Sequence, residues 1–159
     1  MIFETATVND LPTIHKLAHE IWWPTYSEVI SAEQISFMLE NMYSEEALLQ
    51  QMNEGMQFLL VNDEDGPIAF AGHCAEESAY KLHKIYLLPR AQGKGLGKKI
   101  IDHVADIARA NYFQCLELNV NRNNPAFEFY KKLGFEVYQT VDIPYYEFVL
   151  NDYVMRKAL

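Results

Sequence analysis

The stretch KIYLLPRAQGKGLGKKIIDHV, residues 84–104, concentrates the residue types best suited to chemistry. Gly93, Gly95 and Gly97 alternate with Lys94 and Leu96, between an apolar run and a helical pattern. Glycines let backbone N–H groups converge with no Cβ in the way, and at a helix N-terminus such groups hold anions. Two phosphate-binding spacings fail. A P-loop needs G-x-x-x-x-G-K-[ST], but Gln92 stands five before Gly97, and Lys99 rather than a hydroxyl follows Lys98. A dinucleotide fingerprint needs G-x-G-x-x-G, and here the last glycine comes one residue early. Two readings remain: a loop curled around a pyrophosphate, with Arg90, Lys94, Lys98 and Lys99 adding positive charge, or a surface loop without chemistry. Cys74 and Cys115 lack CxxC spacing and read as buried apolar residues, so neither a disulfide nor a metal site is expected.

The elements that must position this loop follow from periodicity. IFETATV alternates as a first strand, and Asn9 or Asp10 can cap a helix whose face is Ile14, Leu17, Ala18 and Ile21. Ser31 and Gln34 form a capping-box pair before Ile35, Met38, Leu39 and Met42, and Ser44 can cap a third helix that ends near Gly55. The period then changes to that of strands: MQFLLVN, GPIAFAGHCAE and YKLHKIYLL read as an antiparallel meander. From Gly97, the residues Ile100, Ile101, Val104, Ile107 and Ala108 mark a long amphipathic helix, followed by the strand CLELNV. In NPAFEFYKKLGF, Asn124 caps, Pro125 opens the helix, Ala126, Phe129, Tyr130 and Leu133 share a face, and Gly134 terminates it. Two aromatic and β-branched segments close the chain as a hairpin. The order β-α-α-α-β-β-β-α-β-α-β-β predicts one domain over 1–159: an α/β fold with a mixed sheet, helices on both faces, and a crossover after the glycine segment.

Composition narrows the partners. Half of the 159 residues are hydrophobic, which suits a single-core globule. The net charge of −9 divides into about −13 for residues 1–80 and +4 for residues 81–159. No basic face for nucleic acid is expected. MIFETATVND has no basic n-region, and no run of about 20 apolar residues occurs, so a cytoplasmic protein without membrane association is expected.

The segment R-A-Q-G-K-G, residues 90–95, resembles the Q/R-x-x-G-x-G/A acyl-CoA signature of the GNAT superfamily of N-acetyltransferases. VNRNNPAFEFYKKLGF, residues 120–135, is similar to that family's V-x-x-x-N-x-x-A-x-x-F-Y-x-x-x-G-F block. The resemblance spans residues 80–136 firmly and the opening strand and helices more loosely. WWPTYSEVISAEQISFMLENMY and YVMRKAL resemble bacterial small-molecule acetyltransferases, including those that acetylate polyamines.

The resemblance implies a GNAT-like fold: a mostly antiparallel, twisted sheet of about seven strands, splayed between the fourth and fifth. It implies acetyl-CoA as co-substrate, with pantetheine lying along Ile85, Tyr86 and Leu87 and pyrophosphate on the N–H groups from Gln92, Gly93, Lys94, Gly95 and Leu96 to Gly97, near Arg90 and Lys98. Asn123, Asn124, Pro125 and Lys132 would line the cofactor path. Tyr130 would protonate the departing thiolate, although its spacing also suits a core aromatic. The Leu87 N–H would face the developing oxyanion. His83 stands where relatives carry a Glu and would relay the proton from the amine. The expected reaction is acetylation of a primary amine on a small molecule, with Glu20, Glu28 and Glu33 attracting a cationic acceptor. Protein-amine acetylation and a non-catalytic acyl-CoA sensor are the rivals. The aromatic-rich ending would suit a homodimer surface.

Overall fold

A computed structural model describes residues 1–159. Strand β1 (Ile2–Thr5) leads through a 3₁₀ turn into α1 (Leu11–Tyr26), α2 (Ala32–Tyr43) and α3 (Glu45–Asn53). Strands β2 (Gln57–Asp63), β3 (Gly66–Ala75) and β4 (Tyr80–Leu87) follow, then α4 (Leu96–Ala110), β5 (Cys115–Asn121), α5 (Ala126–Lys132), β6 (Glu136–Tyr145) and β7 (Phe148–Ala158). This is the expected element order. No helix is long and apolar enough to cross a membrane.

Local chemistry explains most boundaries. Ser31 Oγ accepts the Gln34 N–H at 3.1 Å, and Ser44 Oγ accepts the Ala47 N–H at 3.2 Å. Asn124 Oδ1 accepts the Ala126 N–H at 2.9 Å, satisfying one of the first donors of α5. The α1 cap differs from expectation. Asp10 turns its carboxylate back to the Thr7 N–H at 2.8 Å, stabilising the 3₁₀ turn ahead of the helix. Pro24 lies inside α1 near its C-terminal end, beside the Thr25 hydroxyl, which donates to the Ile21 carbonyl at 2.7 Å.

All seven strands form one sheet in the order β1-β2-β3-β4-β5-β7-β6. Every neighbouring pair is antiparallel except β4 and β5, which the α4 crossover makes parallel. The closing hairpin enters in reverse: β7 inserts beside β5 and leaves β6 at the edge. Two cores cover the two faces, as strand alternation requires. Leu59, Val61, Ala71, Leu116 and Leu118 pack with α4 and α5, whereas Phe58, Leu60 and Phe70 pack with α1, α2 and α3. Helix α4 buries Leu96, Ile100, Ile101 and Val104. At roughly 1.5–3 kcal/mol for each such side chain, that stripe is ample to dock it against the sheet.

Candidate active site

The parallel ladder between β4 and β5 is short. It pairs Tyr80 with Leu116, Lys81 with Glu117 and Leu82 with Leu118, then stops while both strands continue. The sheet therefore opens between Leu87 and Asn121. On its other side β4 remains paired with β3, and the Leu88 N–H donates to the Ile68 carbonyl at 2.9 Å. Antiparallel alternation then turns the N–H and C=O groups of Ile85 and Leu87 away from β3, into the opening. The Gln92 amide reaches in and donates to the Leu87 carbonyl at 3.2 Å. An extended ligand with its own amides could take the place of the missing strand partner.

A cavity of about 900 Å³ runs through this opening. Its wall includes His83, Ile85, Tyr86, Leu87, Gln92, Gly93, Gly95, Leu96, Gly97, Asn124, Pro125 and Tyr130 from the sequence-derived set. Arg90, Lys94, Lys98, Asn123 and Lys132 lie outside that wall. Arg90 is engaged by Asp63 at 2.8 Å and Lys98 by Asp102 at 2.7 Å.

At the mouth, the glycine loop divides its labour. Gly93 has φ +75° and Gly95 has φ +81°, with open space where a Cβ would stand. Gly97 has an ordinary helical backbone; an added Cβ would sit 3.0 Å from the Phe129 ring, so this glycine lets α4 approach α5. The Gln92 N–H is spent on the Pro89 carbonyl at 3.2 Å, which narrows the expected anion cradle. The N–H groups from Gly93 to Lys98 donate to nothing in the chain, and Lys99 is the first to make the helical bond back to Gly95. Free donors and the α4 dipole thus coincide.

Deeper in, Tyr130 is buried, its hydroxyl forms no hydrogen bond within the chain, and burial followed by the nearby Tyr26 raises its pKa. The phenol is therefore protonated at neutral pH and available as a donor. The Tyr26 and Tyr86 hydroxyls share a hydrogen bond of 2.9 Å, and Trp22 and Tyr43 pack against the Tyr86 ring. Lys84 Nζ lies 4.9 Å from the centre of the Tyr43 ring, and burial pushes its pKa down to about 8. Asp152 on β7 also faces the cavity; burial raises its carboxyl pKa, outweighing Asn119, Lys81 and Arg122. The Asn119 Oδ1 is buried without a partner beside it.

His83 is the bulged residue of β4, skipped between the Gly72–Lys84 and His73–Leu82 pairs. Its Nε2–H donates to Glu76 at 2.8 Å. Burial lowers its pKa, more than Glu76 raises it, so the imidazole is biased towards the neutral, proton-accepting form. Glu20, Glu28 and Glu33 are absent from the cavity wall, and Glu20 faces Lys16 at 3.8 Å. The acid in the wall is Asp152, which no local motif announces. Lys84 and Asp152 were legible only as an alternating strand position and a residue of the closing hairpin.

The site combines an open backbone edge, a loop of free N–H groups, a protonated phenol and a cluster of aromatic side chains in the cavity wall. Residues 26–145 match the family described as an acetyltransferase (GNAT) domain. A spermidine N(1)-acetyltransferase from Thermoplasma acidophilum is 30% identical over 140 residues, 84% of this chain and 87% of that protein. A peptidyl-lysine N-acetyltransferase from Salmonella typhimurium is 31% identical over 62% of this chain and 65% of its own. The solved PaiA N-acetyltransferase of T. acidophilum, in complex with coenzyme A, aligns over 100% of both chains with TM-score 0.84 and 28% identity.

Proposed function

This chain belongs to the GNAT acetyltransferase family, and we propose that it acetylates a primary amine of a small, polyamine-like cation by direct attack on acetyl-CoA. One observation carries the reading: a single cavity is lined by the open edge of Ile85 and Leu87, by Tyr130, and by Trp22, Tyr43, Tyr86 and Asp152. Aromatic faces and a carboxylate are what a cationic alkylamine needs. The likeness to a spermidine acetyltransferase supports the same acceptor class.

When bound, acetyl-CoA supplies the activated acyl group. The free N–H groups from Gly93 to Lys98 fit its pyrophosphate, and the outward-facing groups of Ile85, with the Leu87 carbonyl, fit the amides of pantetheine. Asn124 and Pro125 line the path just ahead of α5, whereas Asn123 and Lys132 stand outside the cavity wall. The amine nitrogen forms the new N–C bond, the C–S bond breaks, and Tyr130 passes its proton to the sulfur. With a phenol pKa above 10 and a thiol near 8.5, that transfer is uphill by about 2 kcal/mol or more, small beside the barrier it helps to lower. The Leu87 N–H stabilises charge on the carbonyl oxygen. His83, held by Glu76, receives the amine proton through water.

Lysyl peptides form the second reading, favoured by the Salmonella relative. Thiol release from acetyl-CoA, followed against spermidine, other polyamines, amino acids, aminoglycosides and lysyl peptides, tests both. Spermidine-type amines should give the highest kcat/KM. Preference for the peptides would replace the proposal with the second reading, and tight acetyl-CoA binding without turnover of any amine would leave a sensor domain.

A further inference from the structure

Beside the proposed acetylation site, the β3–β4 hairpin brings three unlike donor atoms together. Cys74 Sγ lies 3.3 Å from His83 Nε2 and 3.8 Å from Glu76 Oε1, and those last two are 2.8 Å apart. We propose that Cys74, Glu76 and His83 form a Zn²⁺ site whose occupation removes His83 from the proton path.

The spacing fits a tetrahedral ion. With Zn–S about 2.3 Å and Zn–N or Zn–O about 2.0 Å, tetrahedral ligands stand roughly 3.3–3.6 Å apart. Each observed separation is within about half an ångström of that range. Backbone pairing sets the position of each donor in the hairpin. Cys74 is held in β3, Glu76 anchors the turn through its N–H to the Ala79 carbonyl at 3.0 Å, and His83 is fixed by the bulge. They face a depression of about 430 Å³ walled also by Gln51, Glu54 and Met56, which leaves room for a fourth ligand. The His83 side chain is 27% exposed and that of Glu76 44%, so an ion can enter.

Thiolate and imidazole favour zinc over magnesium or calcium. Binding releases the Cys74 thiol proton to solvent, and the proton that His83 Nε2 now gives to Glu76 moves to Nδ1, freeing the Nε2 lone pair for the metal. Lys81 and Lys84 are the nearby cations that oppose the ion. Lys81 is paired with Glu117 at 3.3 Å, a carboxylate it shares with Arg156, and Lys84 rests on the Tyr43 ring. Spacing in the sequence gave no sign of the site, because its donors are two and seven residues apart and meet only through the hairpin.

Metal binding rests on the cluster alone, while the inhibition rests also on the role proposed for His83. Co²⁺ titration of the metal-free full chain should give a thiolate-to-cobalt charge-transfer band that stoichiometric Zn²⁺ displaces and millimolar Mg²⁺ does not. Cys74→Ser should abolish the band, Cys115→Ser should keep it, and Glu76→Gln should keep it while weakening Zn²⁺ binding about ten-fold or more. In parallel, Zn²⁺ should suppress acetyl transfer, with recovery on adding a chelator and no such suppression in Cys74→Ser. No band, or a band that survives Cys74→Ser, overturns the site. A genuine site with undiminished turnover overturns the inhibition and removes His83 from the proton path.

Discussion

Replacing Gly95 by alanine puts a Cβ on a residue held at φ +81° and ψ 4°, at the N-cap of α4. The added methyl meets nothing within 4 Å, so neither packing nor a clash contributes, and the cost is that of the left-handed backbone alone. That cost is about 1–2 kcal/mol. It must appear in one of two places. If the loop keeps its shape, the folded state bears it, offset by the ~0.4–1 kcal/mol that alanine gains by restricting the unfolded chain. If the loop relaxes instead, its free N–H groups scatter, and coenzyme A must restore them, raising its Kd by about 5–30-fold. Gly95→Asn should recover most of the loss, because asparagine tolerates this region. Gly97→Ala is the contrasting control: its backbone is unstrained, and the Phe129 ring it meets at 3.0 Å is 38% exposed and free to swing. Its effect should be under about 1 kcal/mol, read in stability and not in coenzyme A affinity. Calorimetric titration with coenzyme A and urea unfolding of the three variants measure both terms. If Gly95→Ala is more stable than the wild type and binds coenzyme A unchanged, the argument from backbone conformation is wrong.

Three further outcomes follow from the site and its surroundings. Tyr130→Phe should lower kcat by about 100-fold or more while coenzyme A affinity stays within about two-fold; full turnover would remove the phenol from the chemistry. His73 is buried against the Tyr80 hydroxyl at 2.7 Å, and burial, with smaller effects of His103 and His83, lowers its pKa to about 4. A histidine whose folded pKa lies below its unfolded value of about 6.5 stabilises the fold above pH 6.5 and loses that contribution as pH falls towards 4, up to about 3 kcal/mol. Urea unfolding from pH 7 to 4.5 should show a shallower acid loss for His73→Gln than for the wild type, and equal slopes would contradict it. Lys84→Gln takes a like charge out of the wall and should lower KM for a polyamine by about five-fold, worth ~1 kcal/mol in a partly solvated cleft, with no gain for a neutral acceptor.

What could be read from the sequence was what is encoded within a few residues. The Gly93–Lys98 loop, the Ser31 and Ser44 caps and the Asn124 turn each draw on neighbours in the chain, so spacing was enough to place them. The splay itself came from the family likeness, and the end of pairing at Leu82 and Leu118 gives it a definite place. Features made by distant segments were not legible. That Gly97, besides offering a free N–H, also lets α4 approach Phe129 of α5 could not be read from its neighbours in the chain. The acidic first half suggested Glu20, Glu28 and Glu33 for the acceptor, yet the acid in the wall is Asp152, carried there by β7. Cys74 gave no sign of its approach to His83, which lies nine residues on and meets it only across a hairpin. A bulge adds one residue to a strand without marking it in composition, which is why the orientation of His83 could not be inferred.

The inserted position of β7 also ranks the sheet's amides. Strand β6 has β7 as its sole partner, whereas β7 is held on both sides, by β5 and by β6. Any fluctuation that frees β7 from β5 therefore strips β6 of the sheet as well, but β6 can peel away alone. In native-state hydrogen exchange the opening free energy of β6 is capped by that of β7, so the edge strand is the first of the two to lose protection.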